Sequence, residues 1–215
     1  MSDKSRLIDI EYGLWRLEGI FHKEDHFKLE LGLILNKLLE DQGAGGTVRL
    51  EWSTEQAGDV DLAIRTEDRV IPIELKYKTK AADIHDTRFN ENFHLSRHGD
   101  YDRGMYGFIE DISHLEALTE EYNTHGYAIF LTNDPNYWEK KEGAVYDPLR
   151  IYDGRVIEGE LNWTEERSWN QGRNSIHLDH RYALNWIDYS YWPDIKVDGA
   201  DEFKTLAVKV PPEST

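Results

Sequence analysis

Asp61, Glu74 and Lys76 are residue types that can bind a divalent cation and neutralise charge on a phosphate. They lie in or directly after two short stretches, 60–64 and 71–75, in which every second residue is aliphatic. This alternation is typical of β-strands with one buried face. Two carboxylates and an ammonium group on such strands are suited to metal-assisted hydrolysis, in which the metal takes oxygen ligands.

A polar stretch between the two strands, residues 66–69, predicts a hairpin turn. If Glu67 and Asp68 form a two-residue loop, the strand register places Asp61 directly opposite Glu74. The aliphatic side chains then share the core-facing side, and the charged ones share the other side. The predicted core-facing residues are Val60, Leu62, Ile64, Ile71, Ile73 and Leu75, and the predicted polar face holds Asp59, Asp61, Glu74 and Lys76.

Asp61 and Glu74 would repel each other across this sheet, because like charges on opposite residues destabilise strand pairing. Mg²⁺ would offset the repulsion, since it takes carboxylate and carbonyl oxygens and keeps several waters. Lys76 lies on the same face and could hold a metal-bound water or a phosphate oxygen. The alternative is an ordinary solvated face, on which Lys76 forms an ion pair with Asp59 or Glu74.

Asp61 and the later sequence Glu74-Leu75-Lys76 resemble the PD-(D/E)XK nuclease superfamily, although Val60 replaces the proline of the family name. The resemblance covers about residues 23–133. It implies an α/β fold with a restriction endonuclease-like core, a mixed central sheet flanked by helices, within one domain of residues 1–215. An aromatic-rich C-terminal extension follows over about 134–215. Some uncharacterised bacterial and archaeal members look similar there too, with a Leu-Thr-Asn-Asp turn followed by Tyr-Trp.

The resemblance also implies an activity, metal-dependent hydrolysis of phosphodiester bonds in restriction, repair or defence. Asp61, Glu74 and the backbone carbonyl of Leu75 would bind one or two Mg²⁺ ions, for which Mn²⁺ can substitute. Lys76 would orient the attacking water or neutralise developing negative charge. The expected partner is nucleic acid, with DNA expected before RNA. Cleavage of both strands would favour a homodimer.

Apolar residues at helical spacing predict a first helix over 23–41, which Gly43 ends. Glu24 and Glu30 lie at the margin of its apolar stripe, from which either could approach the hairpin carboxylates. In the resembled family a glutamate of this helix often completes the acidic cluster, and Glu30 is the better match. The same reasoning predicts a helix over 106–122 and strands over 47–52, 126–132 and 206–210.

The polar stretch from residue 81 to residue 103 shows no clear periodicity and predicts a long loop that leaves the active strand. His94 and His98 stand four apart, as zinc ligands on a helix do, but no third ligand has motif spacing. Phosphate contacts or plain surface positions explain these residues better. The candidate nucleic-acid contacts in and before this stretch are Lys78, Arg88, Arg97 and Arg103.

The net charge of −17 opposes nucleic-acid binding, because affinity for a phosphate backbone comes largely from Lys and Arg. Residues 76–106 differ, with six Lys or Arg against five Asp or Glu, so that the rest of the chain carries −18. The chain has no cysteine and no long apolar run, which predicts a cytoplasmic protein without membrane contact.

Two other functions are compatible with the sequence. The first is a catalytically inactive nuclease-fold scaffold that binds nucleic acid or protein. The second is a carbohydrate-binding or carbohydrate-processing protein, with Glu24 and Glu30 as acid and base. The second function would use the scattered tryptophans of the C-terminal extension, which packing into the core explains more simply.

Overall fold

The computed structural model describes residues 9–54, 58–195, 197 and 199–212. Within these residues the chain forms an α/β structure with a mixed six-stranded central sheet and three α-helices. The α-helices are α1 (Ile10–Arg16), α2 (Glu24–Gln42) and α3 (Tyr101–Glu121). The strands are β1 (Thr47–Ser53), β2 (Asp59–Arg65), β3 (Val70–Lys78), β4 (Ala82–Asp86), β5 (Glu91–Leu95), β6 (Gly126–Thr132), β7 (Val156–Leu161), β8 (Ile176–Ala183), β9 (Trp186–Tyr191) and β10 (Glu202–Val210).

The central sheet has the strand order β1-β2-β3-β6-β10-β9. Strands β3 and β6 are parallel, and α3 lies between them in the chain, as a parallel connection requires. The other neighbouring strands are antiparallel. Strands β4 and β5 form a separate hairpin, as do β7 and β8. The C-terminal extension therefore contributes β9 and β10 to the same sheet that holds the predicted site.

Both faces of the central sheet are buried. One apolar cluster joins α1 and α2 to Leu62, Ile73 and Leu75, and a second cluster joins α3 to Ala63 and Phe130. Every residue of β6 is buried, which explains its uninterrupted apolar sequence.

The prediction that Val60 shares the core face of Leu62 is wrong, because Val60 packs in the α3 cluster. The alternation of β2 changes at Asp61. There the opposite residue, Glu51, has a left-handed backbone (φ 47°) and forms no register pair with Asp61. A period-2 pattern read from β2 alone contains no sign of this irregularity in its neighbour.

The predicted helices and strands of the core are confirmed. Helix α2 agrees with its prediction to within one residue at each end, and Gly43 closes it in the left-handed conformation (φ 59°). Strand β6 has the predicted bounds, and β1 differs by one residue. Helix α3 begins earlier than predicted, at Tyr101, and β10 begins at Glu202.

The prediction of a long irregular loop over residues 81–103 is wrong, because β4 and β5 form a hairpin there. The hairpin directs Ala82 and Ile84 of β4, with Phe93 and Leu95 of β5, into the α1–α2 cluster. Each strand has only five residues, and its outward residues are polar, so the alternation is too short to stand out in the sequence.

His94 and His98 do not form a pair. Nδ1 of His94, on β5, lies 2.6 Å from Oδ1 of Asp83 on the neighbouring strand. Nδ1 of His98 accepts a hydrogen bond from the backbone N–H of Thr79 (3.0 Å). The two imidazoles are therefore held by different parts of the hairpin region, and their spacing does not reflect a helix.

The C-terminal aromatic residues pack largely as core. Trp186 is buried, and Trp138 and Trp163 pack, partly buried, against the α3 cluster. Trp169 is an exception, since 42% of it is exposed. Among the described residues, no helix has the length and apolar character needed to cross a membrane.

Candidate active site at the divergence of β2 and β3

The β2–β3 hairpin has the predicted register. Leu62 pairs with Ile73 and Arg65 with Val70, and the backbone N–H of Thr66 closes the turn on the carbonyl of Arg69 (2.9 Å). The ladder between the two strands ends at Leu62, one residue before Asp61 would meet Glu74. Beyond this point β3 continues beside β6 alone. One edge of β3 is thus left without a strand partner at the predicted catalytic residues.

Carboxylates from elsewhere in the chain satisfy this open edge of β3. The N–H of Leu75 donates to Oδ2 of Asp61 (2.7 Å), and the N–H of Tyr77 donates to Oε2 of Glu24 (2.8 Å). Both bonds replace ladder bonds that a neighbouring strand would otherwise supply. Because the N–H and C=O of one strand residue point to the same side, the carbonyl of Leu75 also faces the edge at Asp61.

Glu74 is buried on the side of the sheet that α3 covers. Its Oε1 lies 2.9 Å from Nδ1 of His114 on α3, and its Oε2 accepts a hydrogen bond from the N–H of Asp61 (3.4 Å). Burial raises the pKa of Glu74, and the charge of Asp61 adds to this shift, whereas His114 and Lys76 oppose it. The carboxyl group is therefore easier to protonate than a carboxyl in water.

Lys76 forms a partly buried ion pair with Asp111 of α3, with Nζ and Oδ2 2.6 Å apart. Burial raises the pKa of Asp111 to about 7, and the carboxylates of Glu74 and Asp61 add to the rise, although Lys76 opposes it. Burial lowers the pKa of Lys76, but Asp111, Glu24 and Glu74 outweigh burial and raise it. Asp111 thus binds its proton more tightly mainly because it is removed from solvent, whereas Lys76 does so because carboxylates surround it.

Lys28 of α2 is a second buried lysine at the site. Its Nζ lies 2.6 Å from Oδ1 of Asp61 and also contacts Oε1 of Glu51. Burial alone would lower the pKa of Lys28, but the hydrogen bonds to Asp61 and Glu51 raise it. Lys28 is therefore a permanent positive charge beside Asp61 at neutral pH.

Sequence reasoning missed Lys28, Asp111 and His114, although each left a signal. Lys28 has i, i+3 and i+7 spacing with Leu31 and Leu35, which places a charge inside the apolar stripe of α2. Asp111 and His114 stand three apart on α3 and share a face with Gly107, whose backbone lies against Lys76. Polar residues within an otherwise apolar helix face are the pattern that could have identified all three.

Glu30 lies apart from the cluster. Its side chain is 45% exposed, and its carboxylate lies 3.8 Å from Nε2 of His26 on the same helix. The carboxylate of α2 that contacts β3 is that of Glu24, which the sequence analysis considered second.

The candidate nucleic-acid contacts have different environments. Lys78 is partly buried at the end of β3, and Arg97 is exposed. Arg103 is exposed, 3.5 Å from Asp100. Arg88 is held by Asp86, with Nη2 and Oδ2 2.7 Å apart, and contributes to packing within the hairpin region. Of the set, Lys78 lies on the strand of the site itself, two residues beyond Lys76.

No group of three or more His, Asp or Glu side chains in the described part of the chain is arranged as a ready metal site. The donor chemistry nevertheless fits a hard divalent cation. Asp61, Glu74 and the carbonyl of Leu75 offer oxygen atoms. With Asp111, the site holds three carboxylates against the two ammonium groups of Lys28 and Lys76. Burial is the main cause of the raised pKa of Glu74 and Asp111, and an additional positive charge would favour the ionised form of both carboxyl groups.

Two open clefts lie in the C-terminal extension, and neither is lined by a predicted site residue. The larger, about 620 Å³, lies between residues 140–143 and 147–156, and Asp147 and backbone carbonyls hold its arginines. The other, about 450 Å³, is lined by residues 162–175. The candidate site lies elsewhere, at the edge of β3 beyond Leu62.

Comparison with protein-family models, with curated proteins and with solved structures found no match for this chain.

Proposed function

We propose that this protein is a metal-dependent nuclease of the restriction endonuclease-like fold that hydrolyses phosphodiester bonds of nucleic acid. The observation that carries the proposal is the end of the β2–β3 ladder at Leu62, which leaves Asp61, Glu74 and the Leu75 carbonyl at one open strand edge. The order helix, three antiparallel strands, helix, parallel strand further supports the fold.

Asp61, Glu74 and the carbonyl of Leu75 would hold Mg²⁺. The bound ion supplies a water of lowered pKa and stabilises negative charge on the phosphate. Lys76 neutralises charge that develops on the scissile phosphate. Asp111 and His114 are positioning residues, because Asp111 fixes the ammonium group of Lys76 and His114 orients the carboxylate of Glu74.

Glu24 takes the place that the resemblance gave to Glu30, as the glutamate of α2 that approaches the site. The substrate would be nucleic acid, with DNA expected before RNA. It would approach the site at the end of β3, where Lys78 follows Lys76. The net charge of −17 makes such contacts weak in general, so recognition depends on the less acidic segment 76–106.

The test is a calorimetric titration with Mn²⁺ of the wild type, Glu74→Ala and Glu30→Ala, at moderate and at high salt. We expect Glu74→Ala to weaken binding by more than about tenfold, since it removes a ligand. Glu30→Ala, the same change at an exposed glutamate of α2, should leave the affinity unchanged. Absence of Mn²⁺ binding by well-folded wild type would overturn the proposal.

Cleavage assays with DNA and RNA then test the role of Lys76. Lys76→Met should reduce kcat about 10²- to 10³-fold, because it removes a charge that stabilises the transition state. Its Mn²⁺ affinity should stay close to that of the wild type. Lys78→Met is the matched control on the same strand, and it should raise KM for the nucleic acid with little change in kcat.

A second candidate function, a nuclease-fold scaffold without catalysis, is favoured by one specific observation. Lys28, His114 and backbone N–H groups already satisfy the carboxylates of Asp61 and Glu74. A site of this kind could persist as an internal polar network. Nucleic-acid binding by the wild type without turnover at any metal concentration, and unchanged in Asp61→Asn, would identify the scaffold.

A further inference from the structure

Lys28 contacts the carboxylate of Asp61, which the proposed metal would need as a ligand. Its Nζ lies 2.6 Å from Oδ1 of Asp61, while Oδ2 of Asp61 accepts the N–H of Leu75. Both oxygens of Asp61 are therefore engaged before any ion arrives. Only 7% of Lys28 is exposed, so this contact lies largely out of solvent. Breaking a buried ion pair leaves a charge without compensation, which is strongly destabilising. Lys28 can therefore release Asp61 only if it has a comparable partner.

Glu51 provides that comparable partner. It lies opposite Asp61 on β1, and its carboxylate contacts the same Nζ of Lys28. The left-handed backbone of Glu51 (φ 47°) interrupts the β1–β2 ladder at this position. Glu51 is 67% exposed in its side chain, whereas Asp61 is 17% exposed. Lys28 thus bridges an inner carboxylate, which belongs to the site, and an outer one, which does not.

We infer that Lys28 is an internal cation that holds Asp61 in the metal-free protein and, when a divalent ion binds, releases Asp61 while it keeps its contact with Glu51. The inference rests on the proposed function, since it assigns Lys28 a role at the proposed metal site. Asp61 and Glu51 lie on neighbouring strands and both contact Nζ of Lys28, whose positive charge offsets their repulsion. The ion would then offset the negative charge of Asp61, and Lys28 would stay paired with Glu51.

The first test measures Mn²⁺ affinity by calorimetry in Lys28→Met. We expect binding roughly tenfold tighter than in the wild type, because the ion no longer displaces an ammonium group. Lys37→Met is the matched control: it removes a positive charge from the same helix at an exposed position and should change the affinity little. Affinity in Lys28→Met equal to or weaker than that of the wild type overturns the inference and leaves the proposed function intact.

The second test follows Lys28 in the wild-type protein and needs no substitution at that residue. Lysines are acetylated with and without saturating Mg²⁺, and labelling is quantified by mass spectrometry. We expect Mg²⁺ to increase labelling of Lys28 several-fold, because its remaining partner is exposed, and to leave Lys37 unchanged. Glu74→Ala should abolish the increase. Unchanged labelling of Lys28 at saturating Mg²⁺ contradicts the inference, even if Lys28→Met fails to fold.

The two proposals fail in different ways. If neither the wild type nor Lys28→Met binds Mn²⁺, the metal site itself is absent and both proposals fall. If the wild type binds Mn²⁺, but Lys28→Met binds it no more tightly and Mg²⁺ does not increase the acetylation of Lys28, only the inference falls.

Discussion

Asp61, Glu74 and Asp111 form a group of largely buried carboxylates, each with less than a fifth of its side chain exposed. The group faces Lys28 and Lys76. Desolvation disfavours every ionised carboxylate, and each one also feels the charges of the others. The raised pKa values of Glu74 and Asp111 have a measurable consequence without any ligand, because a carboxyl group with a raised pKa takes up a proton on folding.

Asp111→Asn should flatten the dependence of stability on pH. Asp111 has a pKa of about 7 in the folded protein, against 3.8 ordinarily, so its favourable contribution is fully present below pH 3.8 and lost as the pH rises to about 7. Between these values, this group lowers the free energy of unfolding of the wild type by up to about 1.4 kcal/mol per pH unit. Urea unfolding of both proteins at pH 5 and pH 8 measures the difference.

Asp188→Asn is the control for that experiment, because Asp188 forms the same kind of ion pair with Lys204 (2.6 Å) but is 88% exposed. It should retain the pH dependence of the wild type. A wild-type protein whose pH dependence equals that of Asp111→Asn would mean that Asp111 is ionised throughout and that its pKa is not raised in the folded protein.

At the scale of elements, α3 connects the site to the core through two glycines that have different surroundings. A Cβ atom at Gly107 would lie 3.6 Å from Cε of Lys76, an ordinary contact. A Cβ atom at Gly104 would lie 2.5 Å from Oη of Tyr137, whose side chain is fully buried. The first glycine lies beside the site, and the second allows the chain after β6 to pack against the helix.

Gly107→Ala and Gly104→Ala should therefore change stability in opposite directions. Alanine at 107 should raise the free energy of unfolding by about 0.5–1 kcal/mol, the difference in helix propensity. Alanine at 104 should lower it by about 1–3 kcal/mol, because overpacking against Tyr137 exceeds the propensity gain. Chemical denaturation followed by circular dichroism measures both. Equal effects of the two substitutions would contradict the packing of α3 on Tyr137.

At the scale of the whole molecule, the C-terminal extension completes the sheet that carries the site. Strand β10 pairs along β6 from Lys204 to Val210, and β9 pairs with β10 in turn. Leu206 is fully buried in the cluster that also contains Phe108 of α3 and Phe130 of β6. The extension and the part of the chain before it should therefore unfold together.

Leu206→Ala tests this cooperativity. We expect a loss of about 2–5 kcal/mol in the free energy of unfolding, as for other truncations of fully buried leucines. The helical circular dichroism signal, which comes from residues 10–121, should shift to the same denaturant midpoint as tryptophan fluorescence. Lys209→Ala, an exposed position on the same strand, should stay within about 0.5 kcal/mol of the wild type. Separate midpoints for the two signals would show that the extension unfolds independently.

The sequence by itself determined the local elements and the residue types of the candidate site. The register of the β2–β3 hairpin, the course of α2 as far as Gly43 and the buried strand β6 follow from periodicity and turn chemistry, which act between near neighbours. The proximity of Asp61 and Glu74 could be predicted from the sequence because a single short turn connects their strands.

Only the tertiary structure decided which distant groups surround these residues. Whether Glu24 or Glu30 reaches β3 depends on how α2 is rotated and placed over the sheet, which packing with residues far along the chain sets. The same holds for Asp111 of α3 and for Lys28, whose charges can be buried only where carboxylates already lie. Periodicity specifies the face of an element, whereas the partner of that face is chosen by the packing of the whole chain.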